Sequence, residues 1–179
     1  CSNAGIGLNR RLIKQELDER AERLFEVNLF ANLRMAQAYA RWTEAQGSRG
    51  RLMITGSENS LSVPAAVRGS GLALYAATKH GVLVMAEWMK LEFEAGNVPV
   101  DVHVLMPGAV YTALIAKHMP DPSKAPPELN LIMPERCAEI ALKGLDLGLF
   151  YIPTHAHLAG DMQPRMRGVA EAVEALGLS

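Results

Sequence analysis

The apolar positions of the chain change period several times, and each change marks an element. From Gln15 to Gln46, Leu24, Val27, Ala31, Met35, Ala38 and Trp42 recur at steps of three and four. That period predicts one long amphipathic helix with these side chains as its apolar stripe. Gly47-Ser48-Arg49-Gly50 stops it. Leu52-Met53-Ile54-Thr55 is apolar on both faces, as in a strand of a parallel sheet covered on both sides. Residues 58–74 read as a loop made flexible by Gly69-Ser70-Gly71. A second helix pattern spans Leu74 to Ala95, with Tyr75, Lys79, Val82, Ala86, Met89 and Phe93 on one stripe. Gly96-Asn97 stop it, and Pro99 cannot continue it.

The remainder follows the same alternation. Val100, Val102 and Val104 alternate with Asp101 and His103, and Leu105-Met106 finish a strand. Residues 113–134 carry Pro120, Pro122, Pro126 and Pro127 with little periodicity, which predicts a mobile loop. Glu135 to Leu147 is helical, with Ala138, Ala141, Leu142 and Leu145 inward, and Leu149 to Ile152 is a last strand. A terminal helix covers Glu171 to Leu176. Short apolar strands separated by helices predict an α/β fold with a parallel sheet in a single domain.

Composition narrows the function classes. The chain has 179 residues, 49% hydrophobic and 21% charged, with a net charge of -1, which suits a globular protein with a real core. Lys and Arg are scattered, so no nucleic-acid surface is expected. No apolar run approaches the ~20 residues that span a bilayer, and no basic-then-apolar leader opens the chain. Cys1 and Cys137 provide no disulfide framework. The expected location is the cytoplasm.

Candidate chemistry centres on Tyr75 and Lys79, four residues apart and so on one helix face. A free phenol titrates near ~10, and a neighbouring ammonium pulls that value down. A phenol so tuned exchanges a proton with an alcohol or carbonyl oxygen. Ser57 lies just past the end of a strand, where open α/β sheets bind ligands, with Ser60 and Ser62 as rivals. Asn28 sits mid-helix, where its side chain competes for backbone hydrogen bonds. Gly5-Ile6-Gly7 and Gly69-Ser70-Gly71 lack the G-x-G-x-x-G pattern that cradles phosphates. His155-Ala156-His157 has no third ligand nearby, so no metal is expected.

In order, Ser2-Asn3-Ala4-Gly5, Val27-Asn28-Leu29, the run Gly50–Ser57, Tyr75-Ala76-Ala77-Thr78-Lys79 and Pro107-Gly108-Ala109-Val110-Tyr111-Thr112 resemble the short-chain dehydrogenase/reductase family. The resemblance covers residues 1–153, the later, catalytic half of a family domain, followed by a tail over 154–179. It implies a Rossmann-like doubly wound sheet and hydride transfer between NAD or NADP and a small alcohol or ketone. It implies that Tyr75 is the general acid/base, that Lys79 lowers its pKa and contacts the nicotinamide ribose, and that Asn28 anchors a water. Ser57 would hold the substrate oxygen, although the family's usual spacing to the tyrosine would select Ser62. Asn3, Ala4, Gly5, Pro107, Gly108, Val110 and Thr112 would lie along the cofactor. Two long helices carrying Trp42, Trp88 and Met89 would pair in a homodimer or homotetramer. The family's glycine-rich phosphate loop has no counterpart among these residues. That absence keeps a second expectation open, a non-catalytic binding or interaction module.

Overall fold

The computed structural model describes residues 1–117 and 119–178. Its elements run α1 (Glu19–Phe25), a π-helical turn (Glu26–Phe30), α2 (Ala31–Gln46), β1 (Gly50–Thr55), α3 (Ala73–Ala95), β2 (Val100–Met106), α4 (Ala113–Ala116), α5 (Pro134–Asp146), β3 (Tyr151–Pro153), α6 (Leu158–Asp161) and α7 (Gln163–Ala175). The strands form one parallel sheet in the order β1-β2-β3. Ser2 bridges Ile54 in parallel on the free side of β1, so the N-terminal residues extend the sheet.

Both faces of the sheet are covered, as the doubly apolar strand patterns require. Leu52, Ile54, Val102, Val104 and Met106 face α2 and α3, packing with Ala36, Val82, Ala86 and Met89. Met53, Leu105 and Ile152 face α5, packing with Cys137, Ile140, Ala141 and Leu145. Each fully buried aliphatic side chain, such as Ile54 or Val104, contributes on the order of 2 kcal/mol. Coverage of both faces also buries His103, which the alternating pattern places outward; it is 4% exposed, and its Nδ1 bonds to Leu149 O at 2.8 Å.

The first long helix departs from its predicted form. It starts at Glu19, not Gln15, and the π turn interrupts it. Asp18 caps the start by accepting from Ala21 N, and Gly47 ends α2 in the left-handed conformation at φ 59°. The buried residues are Ala21, Leu24, Asn28, Asn32, Ala36, Ala40 and Thr43, while Met35 and Trp42 are 49% and 55% exposed. From Asn28 onward the buried positions lie one residue past Val27, Ala31, Met35 and Trp42 of the predicted stripe, and two past Ala38. A π turn holds one surplus residue, which sets all that follows back by about 100° relative to an α-helix. The regular period therefore selects the wrong neighbours after residue 26.

Other departures are smaller. In α3 the predicted positions Lys79, Val82, Ala86 and Met89 are buried, Tyr75 and Phe93 are half-buried, and Thr78 and Leu83 join the inward face. Met89 thus belongs to the core and not to an outer surface. In α5 Ala138 and Leu142 are exposed, and Gly144 takes the contact against Ile152. The described residues of 113–134 hold the one-turn helix α4 and short 3-10 turns, tied to the site by a Val110–Ile132 bridge. The terminal helix is longer than predicted, Gln163–Ala175, with no buried residue.

Candidate active site

The C-terminal ends of β1 and β2 bring the sequence-predicted residues together. Lys79 lies one turn beyond Tyr75 on α3 and is 4% exposed. Its Nζ donates to Thr55 O, the last carbonyl of β1, at 2.8 Å and sits 5.7 Å from the centre of the Tyr75 ring. Burial lowers its pKa from 10.5 to about 8. The Tyr75 phenol moves up, against the expectation that Lys79 lowers it. Burial is the main cause; a Ser57 hydrogen bond opposes it and the Glu58 charge adds to it. The physical reason is that burial penalises the phenolate more than any neighbouring group favours it, while the Lys79 ammonium is turned to the Thr55 carbonyl.

Of the three candidate serines, Ser57 lies nearest the end of β1, just past Thr55. It caps the turn Glu58–Ser60, its Oγ accepting from Asn59 N at 3.2 Å and Asn59 Nδ2 at 3.4 Å. A hydroxyl that accepts twice keeps its own proton to donate. Ser60 Oγ accepts from Ser57 N at 3.1 Å. Ser62 Oγ is buried with no hydrogen-bond partner.

Asn28 is fully buried on the π turn. Its amide closes a two-way pair with Ile6, accepting from Ile6 N at 2.8 Å and donating to Ile6 O at 2.9 Å, and it also reaches Thr78 Oγ1 at 3.2 Å. The side chain ties the N-terminal segment to α3 one residue before Lys79. A side chain added at Gly5 would start 3.6 Å from Asn28 Oδ1 and 3.8 Å from Lys79 Nζ, which places that turn over the site. Asn3 Oδ1 accepts from Thr55 Oγ1 at 2.8 Å, bracing the end of β1. Ala4 and Gly5 are exposed beside it.

After β2, Pro107 O accepts from Glu58 N at 2.7 Å, which joins the Pro-Gly turn to the Ser57 turn. Gly108 packs on His155, where an added Cβ would stand 2.7 Å from Nδ1. His155 Nε2 lies 2.8 Å from Asn130 O and so carries the proton, which leaves Nδ1 to accept from Gly108 N at 3.3 Å. Val110 is buried, and Thr112 is exposed at the start of α4.

The sequence reading missed Thr78, Glu58, His155 and His157 as members of this site. Thr78 stands inside the Tyr–Lys motif and Glu58 beside Ser57, so adjacency alone was their signal. Among the described residues, no group of three or more His, Cys, Asp or Glu could hold a metal. No helix of the described residues is long and apolar enough to cross a membrane.

Residues 1–123 match the family model described as short chain dehydrogenase. The chain is 31% identical over 168 residues to a 1-deoxy-11-beta-hydroxypentalenate dehydrogenase from Streptomyces avermitilis, covering 93% of this chain and 57% of that protein. It is 32% identical over 110 residues to a cyclic-di-GMP-binding biofilm dispersal mediator protein from Escherichia coli, covering 62% of this chain and 42% of that one. A short chain dehydrogenase/reductase from Burkholderia phymatum, solved in complex with NAD, superposes with a TM-score of 0.79 at 18% identity, over 96% of this chain and 66% of that one. The chain thus spans a little over half the length of the Streptomyces avermitilis relative. With its parallel sheet covered on both faces and its ordered Asn, Ser, Tyr and Lys, the chain belongs to the short-chain dehydrogenase family.

Proposed function

We propose that the chain carries the catalytic residues of an NAD(P)-dependent oxidoreductase acting on a small alcohol or ketone. The observation that supports it is the convergence of Tyr75, Lys79 and Ser57 at the ends of β1 and α3. NAD or NADP supplies or accepts the hydride when bound. Lys79 suits the ribose of such a cofactor: Nζ spends one of three N–H bonds on Thr55 O and keeps two for hydroxyl groups. Asn3, Ala4, Gly5, Pro107, Gly108, Val110 and Thr112 are the remaining cofactor-side residues. A phenol whose pKa is raised stays protonated at neutral pH, so Tyr75 is set to donate to a ketone oxygen. Ser57 orients that oxygen, and Asn28 holds the turn beside Lys79.

A second reading, a binding module without turnover, draws on the Escherichia coli relative's description and on the lack of a glycine-rich phosphate loop in these residues. One experiment separates the two. In the protein as the cell makes it, Tyr75→Phe keeps the ring and removes the proton donor. Ketone reduction followed by NAD(P)H absorbance should lose ~10²–10⁴-fold in kcat, with cofactor affinity little changed. Near-parental turnover by Tyr75→Phe from about pH 6 to 10, the span over which its proton would be in play, sinks the enzyme reading.

A further inference from the structure

The paired histidines that suggest a metal have another use. Beyond β3 the chain crosses the end of the sheet as an arm, Thr154 to Asp161, and three contacts fix it. Thr154 N donates to Met106 O at 3.2 Å, which carries the pairing of β3 with β2 one residue further. Leu158 is 2% exposed and packs into the core beside α3. Between them, His157 Nε2 lies 3.0 Å from Oε2 of Glu58, 99 residues earlier, and 3.9 Å from Asp161 Oδ2. An arm held at both ends presents the other histidine, His155, from a fixed backbone, and the side chain is buried there at 8% exposure.

Both nitrogens of the His155 ring are used. Nε2 lies 2.8 Å from Asn130 O, an oxygen that can only accept, so Nε2 carries the proton. Nδ1 is then the acceptor, and two donors meet it: the Thr154 hydroxyl at 2.7 Å and Gly108 N at 3.3 Å. The two ends of the ring therefore reach two different segments. Gly108 belongs to the turn after β2, and Asn130 lies where the chain returns to that turn after Thr112 has led it away. There Ile132 N donates to Ala109 O at 3.0 Å and Tyr111 N to Ile132 O at 2.9 Å. The imidazole adds the arm to that pairing. We propose that His155 is a positioning residue: one side chain holds the cofactor-side turn Pro107–Gly108 and the returning segment Asn130–Ile132 in a single arrangement, so that the turn is already in place when NAD or NADP binds. The inference rests on the reading of Pro107, Gly108, Val110 and Thr112 as cofactor-side residues, but its first readout needs no cofactor.

The first readout is amide hydrogen exchange, followed by NMR in the protein as the cell makes it. His155→Leu keeps an apolar side chain in place and removes both ring nitrogens. The amides of Gly108, Tyr111 and Ile132 should then exchange about tenfold faster, as expected for losing one or two buried hydrogen bonds, while those of β1 and α3 keep their parental rates. His155→Gln, whose amide can donate to Asn130 O and accept from Gly108 N, should bring all of them back towards the parent. The second readout is cofactor affinity from NAD(P)H fluorescence: Kd should rise about tenfold in His155→Leu and recover in His155→Gln. Gly108→Ala should act like His155→Leu, because its methyl would stand 2.7 Å from Nδ1 and displace the ring. It should add nothing to His155→Ala, where the methyl has room. Parental exchange at these amides in a folded His155→Leu protein overturns the proposal. Faster exchange with cofactor affinity unchanged overturns it too, since His155 would then serve the fold and not the cofactor. A parent that binds neither NADH nor NADPH removes the oxidoreductase reading, and the exchange rates then decide by themselves whether His155 holds the two segments.

Discussion

The inner face of the two long helices sets polar side chains among the aliphatic core, while their outer face carries large apolar ones. Inward, α2 and α3 with the π turn bury Asn28, Asn32, Thr43, Thr78 and Lys79. Outward, they expose Phe30, Met35 and Trp42 on one helix and Val84, Trp88 and Leu91 on the other. Burial of polar groups is unfavourable unless each finds a partner, and exposed aromatic side chains gain nothing from the core. The difference separates two demands. The inner face holds donors in place at a strand end, and the outer face is free to be covered by a second copy. We propose that it is, in a homodimer or homotetramer, and the two faces can be tested against each other.

The largest effect on stability belongs to Asn28. Asn28→Ala removes the amide that serves Ile6 N, Ile6 O and Thr78 Oγ1. Stranding these groups should cost about 2 kcal/mol or more, read as a lower urea midpoint. A midpoint unchanged from the parent would show that water replaces the amide without loss.

Lys79→Met should act with the opposite sign. Burial depresses the folded pKa of Lys79 to about 8, from 10.5. The unfolded chain therefore holds that proton more tightly, so the ammonium costs stability below pH 8 and the cost fades as pH rises toward 10.5. The shift corresponds to about 3 kcal/mol, reduced by about 1 kcal/mol for the Thr55 carbonyl left unpaired. At neutral pH Lys79→Met should be more stable than the parent by roughly 1–2 kcal/mol, and the difference should shrink through the alkaline range. A destabilised variant, or a difference independent of pH, would contradict this.

The smallest effect on the single chain belongs to the outer face. Trp42→Ser with Trp88→Ser removes two side chains that are 55% and 61% exposed. Surface changes of this kind alter the monomer's stability by about 0.5 kcal/mol or less. Sedimentation should nonetheless show an oligomer in the parent and a monomer in the double variant. A parent that remains monomeric at micromolar concentration would leave the outer face without its proposed partner.

The faces also differ in how legible they were in the sequence. Tyr75, Lys79 and Ser57 could be placed because they lie on elements of regular period next to strand ends, and α3 buries the predicted stripe. Asn28 could be recognised but its full burial could not, since it depends on the π turn, and a period-based reading assumes an unbroken α-helix. The same assumption turned Met35 and Trp42 inward when they face out. His155, His157 and Glu58 were opaque for another reason. Their partners lie far along the chain, at separations of 47 and 99 residues, and no local pattern encodes such pairs. The direction of the Tyr75 shift needed depth of burial as well as the identity of the neighbour.

The surplus residue of the π turn has a consequence for sequence change. Helix phase here behaves like a reading frame, and the turn is the place where one residue drops out of the count. Deleting Leu29 would let the turn close as ordinary α-helix, and Asn32, Ala36 and Ala40, each moved up one place, would still face the core. A deletion within Ala31–Gln46 has no such slack and would turn every later position by about 100°, carrying small buried side chains out of the core. Length should therefore vary more freely at Glu26–Phe30 than anywhere else along these two helices.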